Sequence, residues 1–285
     1  MKKKIVLLIA LTGFLLATPA LFVRATRGFR IGKMAFDLYF NPAWETAPPT
    51  AHQLELARQI TGAPLRYLSH GAQSFVFASE DGKYIVKLFR YDQRVHPWRE
   101  YLRDKVLKKR KRLRHDEKIH RLFCACKIAY EQASDLTGLV YVHLNQTEGL
   151  LPEATLKDYL GRTFHLDLNR YRFVIQHRAR PIREVLKEAI AAGDQKRVEK
   201  LLGSFAHLLG ERTRRMIANT DTKVASNFGY LDDQAIEWDF GNYVQTPIDR
   251  AEEIEKFVPQ IRRFLTRTAP EFLPIFNEQV EQEIR

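Results

Sequence analysis

At 285 residues, 45% hydrophobic and 28% charged, the chain is long enough for one large domain or two modest lobes, and its composition excludes wholesale disorder. Its two cysteines, Cys124 and Cys126, are separated by one residue with no His or Cys cluster nearby, which argues against a disulfide framework or a zinc site. The net charge of +12 is local: residues 1–33 and 105–114 each hold seven Lys/Arg and no acid, and the remainder is slightly acidic. That distribution argues against a nucleic-acid-binding surface spread over the protein.

The first element is an apolar run from Ile5 to about Val23, between Lys2-Lys3-Lys4 and a group of arginines. Its length suits either a membrane anchor or a cleaved signal peptide, with small residues up to Ala20 for cleavage. Basic residues flank it on both sides, so the charge rule for orientation gives no clear answer. Residues 41–53, rich in Pro and polar side chains, read as a linker, and "LELARQITG" reads as a short helix stopped by glycine.

"LRYLSHGAQSFVFASEDGKYIVKLF" then predicts three strands, the last two joined by a hairpin turn. A long helix is predicted from about Trp98 to Ser134. It carries the basic run 105–114, a cationic face that could meet solvent or anionic lipid headgroups. "GLVYVHLN" and "RTFHLDLNRYRFVIQHR" alternate as strands of one sheet, with an excursion at 150–159. From Ile182 the pattern turns helical, and Val198, Leu201, Leu202, Phe205, Leu208 and Leu209 form one apolar stripe. The loop "NTDTKVASN", the hairpin "FGYLDDQAIEWDFG" and two C-terminal helices complete the chain.

Four pieces carry chemistry. Gly71 sits in a turn between strands. Lys87 lies inside the apolar strand "YIVKLF", where an ammonium without a partner is costly. Asp221 and Asn227 occupy the loop after an apolar helix, and Asp239-Phe240-Gly241 ends the last hairpin. The hairpin length returns Asn227 and Asp239 to the same end.

In this order the pieces resemble the protein-kinase-like superfamily, from about residue 65 to 243. The resemblance implies an α+β, bilobal protein-kinase-like fold, with a strand-rich N-lobe over 61–178 and a helical C-lobe over 179–285. Residues 1–25 would be the membrane or signal segment and 26–60 a linker and short helix. It implies ATP and Mg²⁺ as ligands, with Lys87 clamping phosphates and Gly71 in the loop above them. Asp221 would act as base toward an acceptor hydroxyl, and Asn227 and Asp239 would hold the metal. A helix glutamate should orient Lys87; Glu117 and Glu131 are the choices, and Glu131 is preferred for lying near the helix end. Gln176 to Arg178 would offer backbone groups to a purine.

The sequence departs from the common pattern. Asn219-Thr220-Asp221 replaces His-Arg-Asp, the spacing from Asp221 to Asn227 is one residue longer, and no Ala-Pro-Glu follows. These departures resemble outlying small-molecule or lipopolysaccharide-core kinases more than Ser/Thr protein kinases. The expectation is a membrane-associated phosphotransferase acting on a sugar, lipid-linked or other small acceptor, with its kinase-like domain on the cytosolic side. A catalytically weak pseudokinase and an exported protein without nucleotide chemistry are the rival expectations. Nucleic acid is not expected as a partner.

Overall fold

A computed structural model describes residues 24–35, 37–91 and 105–285, with side chains from Asp116 onward in the last stretch. The apolar N-terminal segment and the side chains of the basic run 105–114 lie outside the described residues. Among the described residues, no helix is long and apolar enough to cross a membrane.

The fold is α+β. It begins with α1 (Ala51–Gly62), β1 (Leu65–His70), β2 (Ser74–Ala78) and β3 (Tyr84–Phe89), followed by the long α2 (Lys105–Thr137). Then come β4 (Leu139–His143), β5 (Glu153–Lys157), β6 (Thr163–Asp167) and β7 (Phe173–His177). These strands form one seven-stranded sheet in the order β4-β7-β3-β2-β1-β5-β6. Neighbours are antiparallel except β1 and β5, which run parallel. Residues 150–159, expected as an excursion from the sheet, therefore contain a strand. Leu65 pairs with Leu156, and Ala154 and Leu156 are fully buried.

Phe29 and Trp44, in the stretch expected as a linker and short helix, are packed into the fold. Phe29 lies 5.2–5.7 Å, ring centre to ring centre, from Tyr67, Phe75, Phe77 and Phe164, and so fills one face of the sheet. Trp44 is buried against Phe123 of α2 and donates its indole N–H to Nδ1 of His120 at 3.0 Å. Thr50 and Gln53 cap α1 reciprocally, which starts the helix three residues before the first leucine of the apolar pattern.

The second half comprises β8 (Arg180–Pro181), α3 (Ile182–Ala191), α4 (Gln195–Arg214) and β9 (Ile217–Asn219). These are followed by a short α5 (Val224–Asn227), β10 (Phe228–Leu231), β11 (Gln234–Glu237) and β12 (Tyr243–Gln245). The chain closes with α6 (Arg250–Glu255), α7 (Val258–Thr268) and α8 (Leu273–Ile284). The stripe on α4 read from the sequence is buried throughout. Asp232 and Asp233, with φ of 49° and 64°, make the two-residue turn between β10 and β11, a conformation that Asp tolerates and that matches strand twist. One apolar core runs from α2 and β4 into α4, α7 and α8, while a second fills the opposite face of the sheet.

His143, on β4, is buried between the backbone carbonyl of Tyr171 (2.7 Å from Nδ1) and the hydroxyl of Thr147 (3.0 Å from Nε2). Burial pulls its pKa from the ordinary value near 6.5 down to about 4. The imidazole is thus neutral in the fold and protonates more readily unfolded, so stability present above about pH 6.5 is lost as pH falls toward 4. The shift corresponds to roughly 3 kcal/mol. Urea unfolding at a series of pH values should show this loss in the parent and a flatter profile in His143→Gln.

Candidate functional site

Alternation along β3 decides where Lys87 points. Val86 and Leu88 face the core containing Phe29, so Ile85, Lys87 and Phe89 face the other way. In register with Lys87 stand Val76 on β2 and Val174 on β7, and these side chains form the roof of a cavity of about 610 Å³. Gly71, Gln73, Leu122 and Cys126 line its sides, and Asp221, Ser226, Trp238, Asp239 and Gly241 come from the helical half. The volume is in the range of ordinary small-ligand sites.

The lower wall is built by the β10–β11 hairpin. The carbonyl of Asn227 accepts the N–H of Trp238 at 2.8 Å and that of Asp239 at 3.4 Å, which closes the loop at its base. Trp238 also donates its indole N–H to the carbonyl of Ser226. Lys87 Nζ reaches across the cavity and donates to the carbonyl of Trp238 at 2.5 Å. Burial lowers the pKa of this ammonium, and the carboxylate of Asp239 opposes that effect. Phe240 is buried beneath, with its ring 5.6 Å from Nζ.

Two glycines bear on the cavity differently. A Cβ at Gly241 would come within 2.6 Å of Gln73 Oε1 and 2.9 Å of Leu122 Cδ1, so a side chain there would displace the ends of Gln73 and Leu122 at the cavity wall. A Cβ at Gly71 would meet nothing within 4 Å. The protein's own packing therefore does not demand glycine at 71. Arg90 holds that turn in place, donating to the carbonyl of Gly71 at 2.7 Å with its guanidinium over Phe75.

Asp221 lines the cavity with its side chain a quarter exposed, and its carboxylate accepts the N–H of Lys223 at 3.3 Å. Asn227 is buried and lies behind the lining. Its Nδ2 donates to the carbonyl of Asp221 at 3.2 Å and its Oδ1 accepts the hydroxyl of Ser226 at 2.8 Å. It thus braces the Asp221 loop, while the hydroxyl of Ser226 stands nearer the cavity.

The expected glutamate partner of Lys87 is not found. Glu131 accepts the N–H of Ala47 at 2.7 Å and pairs with Lys127 at 3.9 Å, and Glu117 is exposed. The α2 residue that reaches Lys87 and Asp239 is Cys126, whose buried thiol is pushed far above the ordinary range and stays protonated. Five residues along a helix turn a side chain by about 140°, which carries Glu131 away from the cavity. The apolar phase Ile119-Leu122-Cys126-Ala129 was the sequence signal for this face.

Of the Gln176–Arg178 segment, His177 and Arg178 line the cavity and Gln176 does not. Gln176 is inside the sheet, its side-chain amide donating to the carbonyl of Thr137. The N–H groups of His177 and Arg178 go to the carbonyls of Gly138 and Lys83, both at 2.8 Å. Ala179, between β7 and β8, lines the cavity as well.

Among the described residues no cluster of three or more His, Cys, Asp or Glu side chains could hold a metal by itself. The cavity does offer two carboxylates, Asp221 and Asp239. That set suits Mg²⁺, which binds through one or two carboxylates together with phosphate oxygens and water.

No family model and no curated protein matches the chain. Solved structures of WbdD are similar to it at low identity. A co-crystal structure of WbdD with a kinase inhibitor is 16% identical, with a TM-score of 0.39 over 75% of this chain and 45% of that one. A structure of the bifunctional kinase-methyltransferase WbdD is 16% identical, with a TM-score of 0.36 over 74% and 42%. A monomeric WbdD structure is 19% identical, with a TM-score of 0.37 over 74% and 44%. The chain spans less than half the length of these proteins.

Proposed function

We propose that the chain is a bilobal, protein-kinase-like phosphotransferase that uses ATP and Mg²⁺ and acts on a hydroxyl of a sugar, lipid-linked or other small acceptor. The observation that carries this reading is the convergence of Lys87 and Asp239, 152 positions apart in sequence, on one cavity between the sheet and the helical half. Burial disfavours the Lys87 ammonium, the Asp239 carboxylate and the Trp238 carbonyl offset part of that cost, and a lysine so perturbed in a cleft supports a binding role.

In this reading Lys87 binds phosphate oxygens as a point charge, Gly71 leaves room above them, and Ala179 meets the base. Asp239, with the Asn227–Ser226 corner behind it, would hold Mg²⁺, which would offset charge on the phosphates. Asp221 orients the acceptor hydroxyl. A bond forms from the hydroxyl oxygen to the γ-phosphorus, the bond to the β–γ bridging oxygen breaks, the proton passes to Asp221, and ADP leaves. The N-terminal apolar segment would keep the domain at a membrane, with the cavity on the ATP-containing side.

Calorimetric titration of the full chain with Mg-ATP tests this. Lys87→Met should weaken binding by ~10-fold or more, the loss of one charge-assisted contact. Equal binding by parent and variant, or no binding by the parent, would end the proposal. A second reading, nucleotide binding without turnover, is favoured by Asn227, whose Oδ1 is already engaged by Ser226. Tight Mg-ATP binding without phosphate transfer to any acceptor would select it.

A further inference from the structure

The groove between α3 and α7 is a second polar cavity, of about 460 Å³, lined by Arg183, Lys187, Gln260, Arg263, Phe264 and Arg267. Its charge follows from the register of both helices. α3 buries Ile182, Val185, Leu186 and Ala189, which leaves Arg183 and Lys187 outward at i and i+4. α7 buries Val258, Ile261, Phe264 and Leu265, which leaves Arg263 and Arg267 outward at the same spacing. Like charges at i and i+4 destabilise a helix, and here two such pairs share one groove.

Elsewhere on the helical half several arginines are matched with acids: Arg197 with Asp233, Arg214 with Glu283, Arg215 with Asp135 and Arg262 with Glu255. The groove residues differ, since among the described residues none of the four cations has a carboxylate within 4 Å. Of the acids on α3, Glu188 is taken by Arg180 and Glu184 does not line the groove.

The groove is also joined to the candidate active site. Gln260 accepts the N–H of Val224 through Oε1 at 3.2 Å and donates to the carbonyl of Thr222 through Nε2. Both contacts fall on the loop that begins with Asp221. Gln260 thus ties the groove wall to the segment that follows Asp221.

We propose that this groove binds a phosphate ester on the phosphoryl acceptor, through the guanidinium forks of Arg183, Arg263 and Arg267 and the ammonium of Lys187. The inference rests on the phosphotransferase reading and narrows its substrate to an acceptor that is already phosphorylated. The ester belongs either to a soluble sugar phosphate or to a phospholipid headgroup.

The test uses the full chain carrying Lys87→Met, so that the ATP cavity contributes little, and inorganic pyrophosphate as the probe without Mg²⁺. Pyrophosphate should bind by calorimetry, and Arg263→Gln with Arg267→Gln should weaken it by at least ~10-fold. Arg263→Lys with Arg267→Lys, which keeps the charge without the forks, should retain an affinity between those of the parent and the Gln variant, and thermal midpoints should not fall. Unchanged affinity in the Gln variant, or no binding in its parent, overturns the proposal. Glucose 1-phosphate and phosphatidylcholine vesicles with or without phosphatidylglycerol separate the sources. Groove-dependent capture of either one supports the site, and capture of neither overturns it. Pyrophosphate binding without any Mg-ATP binding by the unaltered chain would sink the phosphotransferase reading alone, and the reverse would sink the groove alone.

Discussion

If the proposed phosphotransferase reading holds, Asp239→Asn should remove the Mg²⁺ dependence of ATP binding and lower phosphate transfer by roughly 10²–10³-fold, the scale of losing one element of transition-state charge stabilisation. The reason is local. Asp221 and Asp239 are the two carboxylates lining the cavity, and Asp239 is the one that opposes the burial of Lys87. Asn keeps the shape and one oxygen but not the charge. Calorimetry with ATP, with and without Mg²⁺, reads the effect directly. A second consequence concerns Lys87. Without Asp239 its pKa falls further below the unfolded value of about 10.4, so the variant is less stable than the parent at neutral pH. That deficit should shrink as pH is raised toward the unfolded value. Mg²⁺-dependent ATP binding equal to the parent's would remove Asp239 from the metal site.

Arg212→Met should cost roughly 3–5 kcal/mol, a large part of the stability of an ordinary domain. Arg212 lies wholly buried on α4. It donates to Glu237 at 2.6 Å and Glu253 at 3.1 Å, and its guanidinium stacks over the Phe257 ring at 4.3 Å. Glu237 also accepts from Asn219 Nδ2 at 2.6 Å and the Tyr243 hydroxyl at 2.8 Å, and Glu253 accepts the N–H of Asn219 at 2.9 Å. Burial raises the pKa of the Glu237 carboxyl, while Arg212 and these donors pull it back. Losing the guanidinium leaves two carboxylates in the core with no buried cation. Urea unfolding measures the cost, and Arg212→Met combined with Glu237→Leu and Glu253→Leu should recover much of it, as apolar replacement of whole buried ion groups often does. Asp221 donates its own N–H to Oδ1 of Asn219 at 2.9 Å, so the network also sets where the candidate base stands.

How much could be read from the sequence depends on how local each signal was. β1 to β3 and the β10–β11 hairpin were legible because turns and alternation within a few residues define them. Lys87 and Asp239 were legible for the same reason, each marking the end or middle of such a strand. β5 was not: "EATLK" is short, follows a proline, and finds its parallel partner in Leu65 and Arg66, some ninety residues earlier. The helix residue opposite Lys87 was missed because the choice between Cys126 and Glu131 depends on helical phase over a 33-residue helix with a break at Ala133. Chemical expectation favoured the carboxylate, and the apolar face of the helix decided for the thiol. The Arg212 network was illegible because its members come from five separate elements, and nothing in the sequence marks Glu237 or Glu253 as buried.

The apolar core that runs without interruption from α2 and β4 into α4 and α7 has a kinetic consequence. Swinging the sheet away from the helices as a rigid body would expose Phe123, Ala129 and Leu136 together with their partners, an opening whose cost approaches global unfolding. On the proposed nucleotide-binding reading, exchange would then rely on small displacements of the 70–74 turn, which Arg90 ties down through the Gly71 carbonyl. Shortening that side chain would speed entry and escape alike, and leave the equilibrium between them little changed.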